Sequence, residues 1–413
     1  MGQKTVVVLN SGGDSPSLNS TNVGVVYEAR KFDWRVLGVR DGYRGLIGNT
    51  DKINDLNGVD IVDLTHVDLS QIEYTGGTIL GSSRTNPDTP DRKKKITYVM
   101  KRYGIDYIIG VGGEDTNAGA LALYEAGVEL NTVNKTIDND ITHTDFCLGY
   151  PSAAHRATTF GGGLLCTLRS HKKYAVIDSF GRDVGWPALA STSYFDLKDL
   201  GKYPHKVFPP EVGCISIEDI LSVFDEVKRE HGYGQLVIGE GLKLMELEHK
   251  KNELEKKHGQ KVHDEFGHLD YGILGVANFV AEKIRDYLGL KGIKDRESHV
   301  KYLKMTYTLR GRPPTNIDRK LAKVAGAHAV DLLAEGTTGK MINITKGNLV
   351  AGYDVGDVPL EDVSGGRILE EGMFDRKNWG PTQKFIDYVK QFVPNPREYR
   401  LFDEELPKAQ LFN

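Results

Sequence analysis

Cysteine is scarce: three residues, Cys147, Cys166 and Cys214, stand in a chain of 413, and no two form a C-x-x-C pair. An odd, scattered set excludes a disulfide framework or a thiolate metal centre as the organising principle and fits a reducing compartment. An excess of one charge is also missing. With 53 basic and 57 acidic side chains the formal charge is −4, so no global field holds a nucleic acid or an anionic membrane, and any bound anion needs local cations. No stretch approaches the ~18 apolar residues of a membrane span. The apolar run Thr5–Leu9 is too short for a signal peptide, and Val6 occupies the hydroxyl position of the myristoylation pattern. The expectation is a cytoplasmic protein with no nucleic-acid or membrane partner.

Two phosphate signatures are absent as well. G-x-G occurs at Gly110, Gly161, Gly232 and Gly239, but no glycine lies three residues beyond the second of any pair, so the dinucleotide fingerprint is missing. Gly339-Lys340 lacks the earlier glycine of a Walker A loop. His263 and His268 are wrongly spaced for a zinc helix.

What is present is length and glycine. At about 150 residues per domain, 413 residues give two to three domains with room for a sizeable core. Counted with glycine and without tyrosine, apolar residues make up about 46%, within the soluble globular range, so disorder is not expected. The 47 glycines exceed the ~7% norm, and many follow short β-branched runs. Thr5–Leu9 leads into Ser11-Gly12-Gly13-Asp14-Ser15, Tyr107–Val111 into Gly112-Gly113-Glu114-Asp115, Tyr174–Ile177 into Phe180-Gly181-Arg182, and Gln235–Ile238 into Gly239-Glu240-Gly241. Continuous apolar runs alternating with helical patterns mark buried parallel strands. Helices are expected from about Leu18, over Asp91–Tyr103, Thr116–Ala126, Asp219–His231 and Thr315–Leu333. The charge-rich segment Glu246–His258 reads as a solvated helical insertion, near 243–265. The chain is therefore expected to be an α/β protein built of two interwoven doubly wound domains. Ligands should sit at the carboxyl ends of the strands, where the Gly, Asp and Glu residues fall.

The local chemistry has ordinary and functional readings side by side. Ser11–Ser15 offers backbone N–H groups ahead of a helix, an anion site, but Gly-Gly-Asp is also a common turn. Thr136-Ile137-Asp138-Asn139-Asp140 places two acids two residues apart in a loop, able to divide general-base and electrostatic work, or to form an Asx turn.

Taken in order, Gly12-Gly13-Asp14, Gly76-Gly77-Thr78-Ile79-Leu80-Gly81-Ser82-Ser83-Arg84, Gly112-Gly113-Glu114-Asp115-Thr116 and Lys135–Asp140 resemble the phosphofructokinase family. So do Phe180-Gly181-Arg182-Asp183-x-Gly185-Trp186, Pro209-Pro210-Glu211, Glu240-Gly241, and Arg310-Gly311 followed by Asp318-Arg319. The resemblance spans about residues 5–365. It implies Mg²⁺-dependent phosphoryl transfer to the 1-hydroxyl of fructose 6-phosphate. It also implies a donor domain of 1–149 with about 309–362, and a sugar-phosphate domain of about 150–308 with 363–413.

Roles follow the same resemblance. Asp138 is the implied general base, with Thr136 and Ile137 on its loop and Asp140 beyond it. Gly13, Arg84, Gly112, Gly113 and Thr116 belong to the donor-phosphate cradle, and Glu114 is the Mg²⁺-linked acid. Phe180, Gly181 and Arg182 line the sugar site, Arg182 also facing the transferred group, and Glu240 is a sugar-hydroxyl ligand. Tyr307 through Arg310 hold the 6-phosphate. Lys173 and Lys301 stand where the family has arginines reaching in from a neighbouring subunit, so a homo-oligomer, dimer or tetramer, is implied.

The family's ATP-using members carry glycines where this chain has Asp115 and Lys135, as in the pyrophosphate-using branch. A carboxylate at 115 would repel a nucleotide α-phosphate, while Lys135 adds a cation where transition-state charge develops. Pyrophosphate is therefore the expected donor, with an ATP-dependent enzyme and a catalytically weak sugar-phosphate-binding subunit as the alternatives. Ser15 and Ser17, replacing the usual Ala and Gly, are expected beside the phosphate path. Val23 and Tyr27 occupy positions where bacterial ATP-using members place effector-binding arginines, so control by ADP is not expected.

Overall fold

A computed structural model describes residues 3–194, 204–248, 256, 274–290 and 299–393. Six strands fall within the first 149 residues: β1 (Thr5–Asn10), β2 (Arg35–Val39), β3 (Ile61–Asp63), β4 (Tyr107–Gly112), β5 (Leu130–Thr136) and β6 (Leu148–Gly149). The middle carries β7 (Tyr174–Ser179), β8 (His205–Phe208), β9 (Cys214–Ile215), β10 (Gly234–Gly239), β11 (Lys243–Leu244) and β12 (Val300–Met305). Then come β13 (Lys340–Val350), β14 (Tyr353–Pro359) and a short antiparallel pair, β15 (Phe374–Asp375) and β16 (Gly380–Pro381).

These strands build two main sheets. The first runs β14-β13-β5-β4-β1-β2-β3, with β6 paired to β5; the second runs β12-β7-β10-β8. The second is parallel throughout. The first is parallel from β13 to β2 but antiparallel at both edges, β2 with β3 and β13 with β14. β13 and β14 thus return to the sheet of the amino-terminal third, so the chain crosses from one sheet to the other and back. The strands read from apolar runs are present, β1, β4, β7 and β10, and β1, β4 and β10 are buried along their whole length.

Helices α1 (Leu18–Lys31), α2 (Tyr43–Ile47), α3 (Pro90–Tyr103), α4 (Glu114–Glu125) and α5 (Tyr150–His171) follow β1, β2, β3, β4 and β6. The expected helices over 219–231 and 315–333 are Ile217–His231 and Asn316–Ala334. Helix α1 lies directly on Asn316–Ala334, and the contact needs glycine. A Cβ on Gly24 would fall 2.0 Å from the Lys323 carbonyl oxygen and one on Gly326 2.3 Å from that of Thr21. That close crossing fixes the segment after β12 against the loop after β1. Of the expected insertion, residues 245–248 are helical, and most of the rest lies outside the described residues.

Candidate active site

In the first sheet β1 has β2 on one side and β4 on the other. The strand order reverses there, and an open parallel sheet gapes at the carboxyl ends of the two strands flanking such a point. The pocket lies at that gap. Gly12, Gly13 and Asp14 line it from the loop after β1, Gly113 through Thr116 from the start of α4, and Lys135 through Asp138 with Asp140 from the end of β5; Arg84, Arg182 and Arg310 come from elsewhere.

Each wall has a local cause. The Ser11 N–H donates to the Val111 carbonyl at 3.0 Å and that of Gly12 to the Ser83 carbonyl at 3.0 Å, while the Ser82 hydroxyl donates to the Gly12 carbonyl at 2.6 Å. These bonds lay Ser82–Arg84 along the first loop. Gly12 has φ +82°, a conformation that glycine adopts without strain. Helix α4 begins at Glu114 with Gly113 as N-cap and no side-chain cap, two residues before the expected start. Glu114 and Asp115 therefore occupy its first turn, where the helix dipole favours acids, and Asp115 is not the capping residue. Gly112 does not line the pocket. Its missing Cβ makes room for Thr116, whose hydroxyl would lie 2.0 Å from it.

Lys135 is buried, and its Nζ donates to the carbonyls of Gly13 at 2.5 Å and Ser11 at 3.2 Å. Burial, then the nearby Arg310 guanidinium, pull its pKa down to about 8, while Asp14, Asp138 and Asp140 oppose the shift. Arg310 lies with its guanidinium 4.0 Å from the Phe180 ring centroid and 5.9 Å from that of Tyr307. A Cβ on Gly13 would stand 3.3 Å from its Cζ. The resemblance puts Arg310 with the 6-phosphate, whereas here the guanidinium faces the first loop. Tyr307 beside it is 74% exposed.

The two acids of Thr136–Asp140 differ in their surroundings. Burial raises the pKa of Asp138, against the pull of Arg310, Arg182, Lys135 and Arg84. Burial and the neighbouring Asp138 push Asp140 up to about 7. Both Oδ1 atoms are buried without a hydrogen-bond partner, leaving acceptor capacity turned to the interior of the site. Asp138 is the acid held among cations.

Across the pocket, Glu240 Oε1 accepts the N–H groups of Arg182 at 2.8 Å and Gly181 at 3.3 Å. It pins a turn in which both residues have positive φ, and burial lifts its own pKa to about 7. Ser15 and Ser17 are corrected by the structure: both are fully buried, hydrogen-bonded to each other at 3.1 Å, and neither lines the pocket. Lys173 and Lys301 stand at the amino ends of β7 and β12. The loops bearing Phe180 and Tyr307 leave the carboxyl ends, roughly 20 Å along the strands. One chain does not bring these lysines to its own pocket. Asp14, part of the first resembling block but assigned no role there, also lines the pocket.

The residues suit a divalent cation held jointly with phosphate. Among the described residues no cluster of three or more His, Cys, Asp or Glu could hold one alone. Mg²⁺, however, takes only one or two carboxylates and completes its shell with phosphate oxygens and water. Glu114, exposed at the pocket mouth, and the spare carboxylate oxygens meet that requirement.

An α/β frame of two sheets with a mixed cation–carboxylate pocket at the switch point defines a phosphate-handling enzyme. Residues 5–333 match the family model "Phosphofructokinase", and the chain belongs to the phosphofructokinase family. It is 34% identical over 349 residues to "Pyrophosphate--fructose 6-phosphate 1-phosphotransferase" of Amycolatopsis methanolica, covering 84% of this chain and 92% of that one. It is also 30% identical over 367 residues to "ATP-dependent 6-phosphofructokinase 3" of Bacteroides thetaiotaomicron, covering 87% and 92%. The fold matches a pyrophosphate-dependent phosphofructokinase of Nitrosospira multiformis with a TM-score of 0.75 at 22% identity, over 99% of this chain and 94% of that one. Among the described residues, no helix is long and apolar enough to cross a membrane.

Proposed function

We propose that the protein transfers a phosphoryl group from pyrophosphate to the 1-hydroxyl of fructose 6-phosphate, giving fructose 1,6-bisphosphate and phosphate. The observation that carries the choice of donor is the pairing of Asp115 and Lys135 in one pocket. Pyrophosphate ends where its second phosphate ends. A nucleotide would continue with a charged α-phosphate toward the first turn of α4, where Asp115 stands. Two like charges 4 Å apart at an effective dielectric near 20 repel by about 4 kcal/mol, enough to set a preference of two to three powers of ten.

In the proposed reaction Asp138 takes the proton of the attacking hydroxyl. A buried carboxylate with a raised pKa is a better base than one in water, provided cations keep it ionised, and four surround it. Lys135, Arg84, Arg182 and Arg310 hold the charge that spreads over the transferred group, a preorganised field that needs no rearrangement. The N–H groups of the first loop and of the α4 terminus hold the departing phosphate, and the proton on Asp138 returns to solvent or to that phosphate. Glu114 would hold Mg²⁺, which when bound neutralises charge on the pyrophosphate oxygens. Glu240 positions Arg182, and the turn Phe180–Arg182 forms the sugar side. Lys173 and Lys301 serve a sugar 6-phosphate only in a second copy's pocket, so the proposal includes a homo-oligomer with shared sites.

The reaction is tested by incubating purified protein with Mg²⁺, pyrophosphate and fructose 6-phosphate and counting products. One fructose 1,6-bisphosphate and one phosphate per pyrophosphate are expected. Similarity to proteins named as ATP-dependent favours a second reading, the same transfer from ATP, and turnover confined to ATP would establish it instead.

A further inference from the structure

The loop carrying Asp138 and Asp140 is tied down from the far end of the chain. Asn139, between the two acids, has φ +60° and a fully buried side chain directed away from the pocket. Its Oδ1 accepts the Cys147 N–H at 3.0 Å, and its Nδ2 donates to the Tyr388 hydroxyl at 2.9 Å. That hydroxyl in turn donates to the Asp145 carbonyl at 3.0 Å. One residue further on, the Asp140 carbonyl accepts the Arg367 N–H at 2.6 Å. Tyr388 belongs to the helix Gln383–Val389 and Arg367 to the segment before it, both beyond residue 333, where the family match ends.

We propose that Tyr388 is a positioning residue for phosphoryl transfer, its hydroxyl clasping Asn139 so that Asp138 and Asp140 stay aimed into the pocket. The claim rests on the assignment of Asp138 as base. An asparagine tolerates the left-handed conformation but does not enforce it. Two hydrogen bonds on its amide do, and they oppose rotation of the peptide units that carry the acids. The phenol satisfies itself as both donor and acceptor, so the clasp costs no unpaired group. Without it the loop can turn and admit water, and a base displaced by about 1 Å loses roughly a hundredfold in rate.

The test compares Tyr388→Phe with Phe385→Leu, a cavity-forming change on the same helix. Tyr388→Phe is expected to lower kcat at least tenfold while KM for both substrates stays within threefold. Amide hydrogen exchange of the 136–141 segment, followed by mass spectrometry, should quicken as the loop is released. Phe385→Leu should lower Tm yet leave kcat and the exchange of that segment in place. Asn139→Gly keeps the positive φ and removes the clasp, so it should reproduce the loss, and the double variant should be no slower than either single one. If Tyr388→Phe does not fold, Asn139→Gly carries the same measurement. Loss of Tm with unchanged kcat and unchanged exchange of that segment overturns the proposal. Should the protein transfer phosphoryl from neither donor, the assignment of function fails separately, and the exchange of the 136–141 segment still decides for or against the clasp.

Discussion

Lys135 Nζ donates to the Gly13 carbonyl, and the Arg310 guanidinium stands so close to the same residue that a Cβ on it would lie 3.3 Å from Cζ. One glycine thus meets two cations contributed by different parts of the chain. A phosphate seated on that loop meets both positive charges.

The Lys135 charge is titratable in a useful range. Burial brings its pKa to about 8, so the free enzyme should lose kcat/KM for pyrophosphate as pH rises through about 8. The bound pyrophosphate favours the ammonium, so kcat should fall only at higher pH. Lys135→Arg should remove the limb from both profiles within the range where the protein is folded. A limb that persists in Lys135→Arg assigns it to another group.

Asp138→Asn should cut kcat by about 10²–10⁴ with little change in pyrophosphate affinity, because proton transfer is confined to the transition state. Rapid-quench and steady-state rates on folded enzyme check this. Near-normal kcat with lowered Tm would assign Asp138 to turn formation alone.

Stability should carry the mark of the buried acids, and the sign is fixed by their direction. Asp140 is raised from 3.8 to about 7, so between those values the folded state binds more protons than the unfolded one. Its contribution to stability is therefore greatest at low pH and is lost as pH rises through that window, at up to about 1.4 kcal/mol per pH unit. Asp140→Asn removes the term, and its stability, measured by denaturant titration from pH 5 to 8, should decline less with pH than that of the parent protein. Parallel curves would contradict the shift.

The positions that carry effector-binding arginines elsewhere in the family offer none here. Val23 is fully buried in α1, and the Tyr27 hydroxyl donates to Asp68 at 3.3 Å. Initial rates against fructose 6-phosphate should be unaffected by ADP. Activation by ADP would require a cationic site elsewhere on the chain.

The strands that position the pocket were legible because burial on both faces demands unbroken apolar runs, as in Thr5–Asn10 and Tyr107–Gly112. β12, Val-Lys-Tyr-Leu-Lys-Met, escaped because it is a half-exposed edge strand with lysines facing solvent. The glycine loops were legible because parallel strands end in them. Side-chain direction was not. Ser15 and Ser17 turn inward since Gly149 leaves room beside Ser15, its absent Cβ lying 2.2 Å from the Ser15 hydroxyl. Arg310 turns to the first loop because Phe180 and Tyr307 shelve it there. Helix α4 starts at Glu114, two residues before its sequence pattern indicates, because acids suit both a loop and a first helical turn. Tyr388 and Arg367 reach Asn139 and Asp140 across more than 200 residues, a separation no local pattern reports.

The choice of donor is decided most directly by kcat/KM for pyrophosphate and for ATP, measured on the parent protein and on Asp115→Gly under identical Mg²⁺ and fructose 6-phosphate. The account predicts that the parent prefers pyrophosphate by about 10² or more and that Asp115→Gly raises the ATP value, since a like charge is removed beside the α-phosphate. Lys135→Gly should lower pyrophosphate turnover about 10²-fold, the scale of one preorganised electrostatic group, and the double variant should move preference furthest toward ATP. A parent protein already faster with ATP, or a donor ratio unmoved by Asp115→Gly, would contradict it.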